Sequence, residues 1–266
     1  MNNAVSSIVS KVSYFTPSRY ISGRIVEYDI RSANITMLKA ANVIAEDQYQ
    51  YLKNLPKMSR EIEIGLMIQS NPAIFKAISN GIEKYKLKFA EANNINENKI
   101  VRIANDAIYL NTPIDLNYTV FDNIVEFKKK SVYDVAMKLN YVIIFSAFHG
   151  DSMDIDVKGI GKNAQLHQDY MISVIGSVIH MIERSDISEA FNYISEFSVH
   201  YLNRELDIGY YREFNAGSKF KISNSPFYIS NCDEVYLDKI DINYNYVIIR
   251  ELWSIVTQIY NIRSKR

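Results

Sequence analysis

At 266 residues and 48% hydrophobic content, the chain can form one large domain or two small ones, with a sizeable core. A formal net charge of +0 removes any whole-molecule pull toward polyanions, so nucleic-acid binding has to come from local patches. The single cysteine, Cys232, excludes an intrachain disulfide framework and a cysteine-based zinc site, and fits a reducing compartment. The N-terminus lacks a charged-then-apolar signal pattern, and no apolar run reaches the roughly 18 residues of a membrane span. We therefore expect a cytoplasmic protein with no membrane partner. Abundant Tyr, Ile and Asn with sparse Gly and Pro suit an AT-rich genome, and with it a virus or phage in a host cytoplasm.

In chain order, Arg24–Ile30 (RIVEYDI) alternates like a strand. Ser32–Ile44 has apolar residues at helical spacing. Ser59–Gln69 and Asn71–Asn93 read as helices, with Pro72 at a plausible first helical position. After a polar turn at Asn94–Asn98, Lys99–Leu110 reads as strand, tight turn and strand, with Asn105 and Asp106 at the turn. Asn123–Lys130 and Tyr141–Phe145 read as further strands. Asn163–Leu206 is mainly helical, Lys219–Tyr236 is short and strand-like, and Asn245–Ile262 is an amphipathic closing helix with Trp253 in its apolar face. Strands mixed with helices, followed by a helical segment, predict an α+β fold with an appended helical subdomain.

The candidate chemistry rests on two carboxylates. Asp29 ends one predicted strand, and Asp106 sits at the tip of a predicted hairpin. If those strands are neighbours, the carboxylates converge, as two-metal phosphoryl transfer requires. Taken singly, Asp29 also reads as a helix cap and Asp106 as an ordinary turn residue. His149, His167, His180 and His200 show no metal-ligand spacing.

Residues Tyr28–Ile35 (YDIRSANI) resemble the first polymerase motif of the family B DNA polymerases, Asp-x-x-Ser-Leu-Tyr-Pro-Ser, with Asp29 and Ser32 in register. Lys57–Gly65 (KMSREIEIG) resembles the second, Lys-x-x-x-Asn-Ser-x-Tyr-Gly, through Lys57 and Gly65; Glu61 and Ile64 depart from it. Ile103–Tyr109 (IANDAIY) stands where the family has Tyr-Gly-Asp-Thr-Asp-Ser and keeps one Asp. Glu126–Tyr133 resembles the Lys-Lys-x-Tyr segment, Asp156–Ile160 the Asp-x-Lys-Gly-Ile stretch, and Asn243–Leu252 the closing thumb helix. All six occur in the family's order, over roughly residues 24–262.

The resemblance implies a polymerase-like palm with an antiparallel sheet, reduced fingers and a mostly helical thumb. The divisions expected are an N-terminal segment 1–23, a palm 24–160 with fingers at about 45–95, and a thumb 161–266. With few residues ahead of the first motif, we expect no proofreading exonuclease. The implied activity is template-directed nucleotidyl transfer, polymerase-like or primase-like, on primer–template nucleic acid with nucleoside triphosphates, alongside other replication proteins. By that resemblance, Asp29 and Asp106 bind Mg²⁺ or Mn²⁺. One ion activates the primer hydroxyl and the other holds the triphosphate. The backbone carbonyl at Ile30 adds a ligand, while Ser32 and Asn34 line the nucleotide site. Lys57 neutralises the triphosphate, and Arg60, three residues on along the helix, shares that task. Lys128, Lys129, Lys130 and Lys158 contact duplex phosphates. Two alternatives stand beside this: an inactive palm that binds nucleic acid or a replication protein, and an α+β interaction protein with no nucleic-acid role.

Overall fold

The computed structural model describes residues 3–140, 142–158, 168–207, 210–213 and 240–264. The strand-like segment Lys219–Tyr236, together with Tyr141, Gly159, Ile160, His167 and Cys232, lies outside them. The fold is α+β with an antiparallel sheet. It divides into two compact units. Residues 1–18 and 22–134 form the first; 19–21 and 135–266 form the second.

In the first unit, α1 (Asn3–Val9) and β1 (Ser13–Phe15) precede the long strand β2 (Tyr20–Ile30). Four helices follow: α2 (Ala33–Ala40), α3 (Glu46–Asn54), α4 (Lys57–Ser70) and α5 (Ala73–Ala92). The chain then returns through the hairpin β3 (Ile100–Ala104) and β4 (Ala107–Asn111), the short β5 (Val120–Phe121), and β6 (Val125–Leu139). The strand order is β1-β3-β4-β2-β6, so β2 lies in the interior beside β4. Alternation along β2 sends Val26, Tyr28 and Ile30 to one face. There they join Ile108, Leu110 and Phe127, and α2 and α5 supply Met37, Leu38, Ile78 and Phe89 to the same core. Phe89 stacks on Phe127 with ring centroids 4.2 Å apart and tilts against Tyr28 at 5.4 Å. Each such fully buried side chain contributes about 1.5–3 kcal/mol. Helices α2 and α5 approach closely at Gly81. A Cβ there would sit 2.8 Å from the sulfur of Met37, so a side chain at this position would push the helices apart.

In the second unit, the end of β6 pairs with β7 (Val142–His149), which pairs from Ile143 to His149 with β8 (Ser152–Lys158). Helix α6 (Gln168–Arg184) buries Met171, Val174, Ile175, Val178, Ile179 and Ile182, an i, i+3, i+4 stripe that defines its inner face. Helix α7 (Ile187–Leu202) starts at Asp186, whose side chain accepts from the Ser188 N–H at 2.9 Å and satisfies one of the open amides of the first turn. Helix α8 (Ile242–Arg263) closes the unit, and Trp253 packs beside Phe191 with centroids 4.8 Å apart. A two-residue pair, β9 (Arg212–Glu213) with β10 (Ile240–Asp241), completes the described strands. Among the described residues, no helix is long and apolar enough to cross a membrane.

Candidate functional site

Strand β2 carries Glu27 and Asp29 two residues apart, hence on one face, opposite the face that holds Val26, Tyr28 and Ile30. Asp29 stands across from Ala107 of β4. The β3–β4 connection is two residues, Asn105 and Asp106, with Ala104 paired to Ala107. Asn105 takes the left-handed conformation at φ 48°, which Asn tolerates better than most residues, and its N–H donates to the Val12 carbonyl at 2.8 Å. The Ile30 N–H donates to the Asp106 carbonyl at 3.3 Å. These bonds fix the turn at the end of β2 and bring the carboxyl groups of Asp29 and Asp106 together.

Their electrostatics follow. Burial, then the Asp29 charge and the hydrogen bond between the two carboxyl groups, push the Asp106 pKa up to about 6; its own backbone N–H and the Lys130 ammonium pull the other way. Lys130 lies 3.2 Å from Glu27 and 3.6 Å from Asp29. Burial disfavours its charge, but the two carboxylates outweigh that and hold its pKa above the ordinary lysine value. Glu27 is 1% exposed and also accepts from the Tyr133 hydroxyl at 3.3 Å. Tyr109, opposite Glu27 in the register, shares in this buried network, with its pKa raised by burial and by the Glu27 charge.

A cleft of about 740 Å³ opens beside the pair. Asp29, Ile30, Ser32, Asn34, Lys57, Arg60 and Asp106 all line it, so the residues singled out for metal and nucleotide binding share one cavity. Ser32, in the left-handed conformation at φ 49°, turns the chain from β2 into α2. Lys57, Arg60 and Glu61 sit in the opening turn of α4, and Asn34 Nδ2 donates to Glu61 Oε2 at 2.8 Å. The basic run behaves less uniformly. Lys128 is exposed, Lys129 pairs with Asp115 at 2.9 Å, and Lys130 is held beside the dyad. Lys158 belongs to the second unit and pairs with Asp156 at 2.6 Å. Among the described histidines, His149 pairs with Asp154 and His200 with Glu205. Among the described residues, no group of three or more His, Cys, Asp or Glu side chains is placed to hold a metal ion. The carboxylate pair and Ile30 line the cleft together and are its candidate oxygen donors.

Two members of the site are absent from the sequence reading. Glu27 was legible in principle, because a residue two before Asp29 on a strand shares its face. Lys86, at the inner end of the α5 stripe, carries no local signal. Its Nζ donates to the Lys11 carbonyl at 3.0 Å, and burial lowers its pKa to about 8, against the attraction of Glu83 and Asp106.

Residues 9–258 match the family model described as bacteriophage PBS1 gene 130 protein. The chain belongs to that family. The match spans both compact units and fits the phage origin suggested by composition. No curated protein matches the chain.

Proposed function

We propose that the first unit is a polymerase-like palm with reduced fingers, and that it carries out template-directed nucleotidyl transfer at the Asp29–Asp106 pair. The observation that carries this reading is the shared cleft: two adjacent carboxylates line it together with Lys57 and Arg60. Support also comes from the sheet, which packs α2 and α5 on one face and holds Glu27 and Asp29 on the other.

The donor set suits a divalent cation. Two carboxylates forced together raise the cost of ionising both, and a cation between them removes that cost. A bound Mg²⁺ or Mn²⁺ supplies Lewis-acid polarisation of a phosphoryl oxygen and neutralises developing charge. Asp29 and Asp106 hold it, with the Ile30 carbonyl beside them. Lys57 and Arg60 attract the triphosphate and orient its leaving pyrophosphate end. The first amides of α2, at Ala33 and Asn34, have no intrahelical acceptor and add a partial positive charge on the same side. Lys130, held by Glu27 and Asp29, places a positive charge beside the pair. Exposed Lys128 offers a phosphate contact to primer–template nucleic acid.

A second reading is an inactive palm that binds nucleic acid or another replication protein. The observation favouring it is that Lys130 already sits against Asp29, while among the described residues no third carboxylate is placed to hold a metal ion with the pair. One experiment separates the two. Wild-type protein, given a primed template, nucleoside triphosphates and Mn²⁺, should extend the primer, and a double Asp29→Asn, Asp106→Asn protein should not. Absence of extension by the wild type, with template binding retained, would leave the inactive palm.

A further inference from the structure

The α5 residues that line the cleft recur at helical spacing: Phe75, Ile78, Ser79, Ile82, Glu83 and finally Lys86. Lys86 ends that stripe on the floor of the cleft and is 2% exposed. An ammonium group withdrawn from water to that degree is costly unless its three donors are engaged. One donates to the Lys11 carbonyl at 3.0 Å, its only hydrogen bond among the described residues. That acceptor is neutral. Glu83 and Asp106 attract Lys86 at longer range, and no described carboxylate forms an ion pair with it. The result is a buried positive charge beside two carboxylates, with two donors unspent.

We propose that Lys86 binds a phosphate oxygen of the cleft's ligand, at the point where the phosphoryl group meets Asp29 and Asp106. The ligand class, a polyphosphate ester, rests on the nucleotidyl-transfer reading. The anion site itself rests on the buried ammonium and on Lys57 and Arg60, which line the same cleft. A carboxylate dyad repels a phosphate approaching it, and Lys86 supplies a fixed counter-charge behind the dyad. Lys57 and Arg60, on α4, approach the ligand from another element, so the two sets of cations grip different oxygens.

A purely structural role is the competing account. Lys86 holds Lys11, and the next residue, Val12, accepts from the Asn105 N–H, so the lysine also steadies the catalytic turn. The two roles separate by substitution. Lys86→Gln keeps a donor for the Lys11 carbonyl but removes the charge, while Lys86→Met removes both. Binding of inorganic triphosphate is measured by calorimetry on the full chain. Both variants should bind about 10- to 100-fold more weakly than wild type, the loss expected for a charge-assisted hydrogen bond. Their ligand-free melting temperatures should hold or rise, because an uncompensated buried charge has been removed. Unchanged triphosphate affinity in Lys86→Gln overturns the proposal, as does a wild type that binds no triphosphate. Should neither variant fold, isotope-labelled lysine in the wild type decides. The Lys86 ammonium, the buried one among the described lysines, should give a resonance protected from water exchange that shifts on adding triphosphate, and a stationary signal overturns the proposal. Lys86-dependent triphosphate binding in a protein that never extends a primer would sink the transfer reading alone. Primer extension with triphosphate affinity indifferent to Lys86 would sink this inference alone.

Discussion

Asp29 lies near the end of β2 and Asp106 in the turn that leads into the neighbouring β4, so the Asp29 charge and the hydrogen bond between the two carboxyl groups bear directly on how Asp106 ionises. Asp106 bears the visible consequence, with its pKa raised to about 6 from an ordinary 3.8. A folded pKa above the unfolded one means that its contribution to stability is fully present below the unfolded value and is lost as pH rises through the folded one. The metal-free protein should therefore melt at a higher temperature below the Asp106 midpoint than above it, as far as this group is concerned. Above that midpoint, Mn²⁺ should raise the melting temperature relative to EDTA; well below it, protons displace the ion and the gain should vanish. Melting curves across pH, with and without Mn²⁺, check both statements. A metal-induced gain independent of pH would place the ion elsewhere.

Replacing Asp106 by Asn removes the repulsion while keeping the shape. In EDTA at neutral pH, Asp106→Asn should raise the melting temperature by roughly 2–4 °C, the shift that about 1 kcal/mol produces in a chain of this size. The Mn²⁺ gain should be lost, and any primer extension should fall by at least about 10²-fold, the scale seen when one group that stabilises transition-state charge is removed. A variant that extends primers at the wild-type rate would place the chemistry away from this pair.

The Asp29–Asp106 pairing was legible because three local signals agree there: alternation through RIVEYDI, a turn signal at Asn105, and a polymerase-like motif order. Helix α5 was legible from its apolar stripe, with Pro72 at its start. Helix α3 was not. EDQYQYLKN buries only Leu52, so almost no apolar period marks it. Strand β8 drew notice only as a motif fragment. Its strand character comes from pairing with β7 across the turn at Gly150, where φ is 63°. Lys86 stayed hidden for a further reason. A lysine within a helical stripe says nothing of what the stripe faces, and the facing turn lies about twenty residues further along the chain.

Lys130 should behave differently from its neighbour Lys128. Its ammonium lowers the Asp106 pKa and pairs with buried Glu27. Lys130→Ala should move the pH midpoint of the Mn²⁺ gain upward and cost about 1–2 kcal/mol, a figure discounted because the Lys130 side chain is half exposed. Lys128→Ala should leave both unchanged. It should instead flatten the salt dependence of duplex binding by about 0.9 log units, the value for one lost phosphate contact. Equal effects of the two substitutions on the pH midpoint would contradict this division of labour.

Phe89 tests the scaffold. Its ring is fully buried, stacks on Phe127 and touches Tyr28, one residue before Asp29. Phe89→Ala should cost about 3–5 kcal/mol of stability by transfer and cavity terms together. Denaturant unfolding measures it. A loss below about 1 kcal/mol would mean that α5 does not pack on the sheet as described.

The remaining prediction concerns the sugar. The resemblance places Asn34 where family B polymerases carry an aromatic ring that excludes a ribose 2′-hydroxyl. An amide is smaller and can hydrogen-bond, so ribonucleotides should be accepted far better here than by a typical member of that family. The geometry adds a partner. Asn34 donates to Glu61 at 2.8 Å, leaving its second N–H and its carbonyl oxygen for a ligand, while Glu61 keeps acceptor capacity facing the same cleft. A site that spends polar groups on a hydroxyl discriminates strongly against the analogue lacking it, because those groups are then left unpaired. Wild-type protein should therefore show higher kcat/KM for ribonucleoside triphosphates than for the deoxy forms. Asn34→Tyr should reverse that order by filling the space, and Glu61→Gln should weaken the ribose preference without abolishing extension. Thermal stabilisation by each triphosphate gives a readout independent of turnover. If wild type and Asn34→Tyr reject ribonucleotides equally, Asn34 does not set sugar choice, and a primase-like role loses the observation that recommends it.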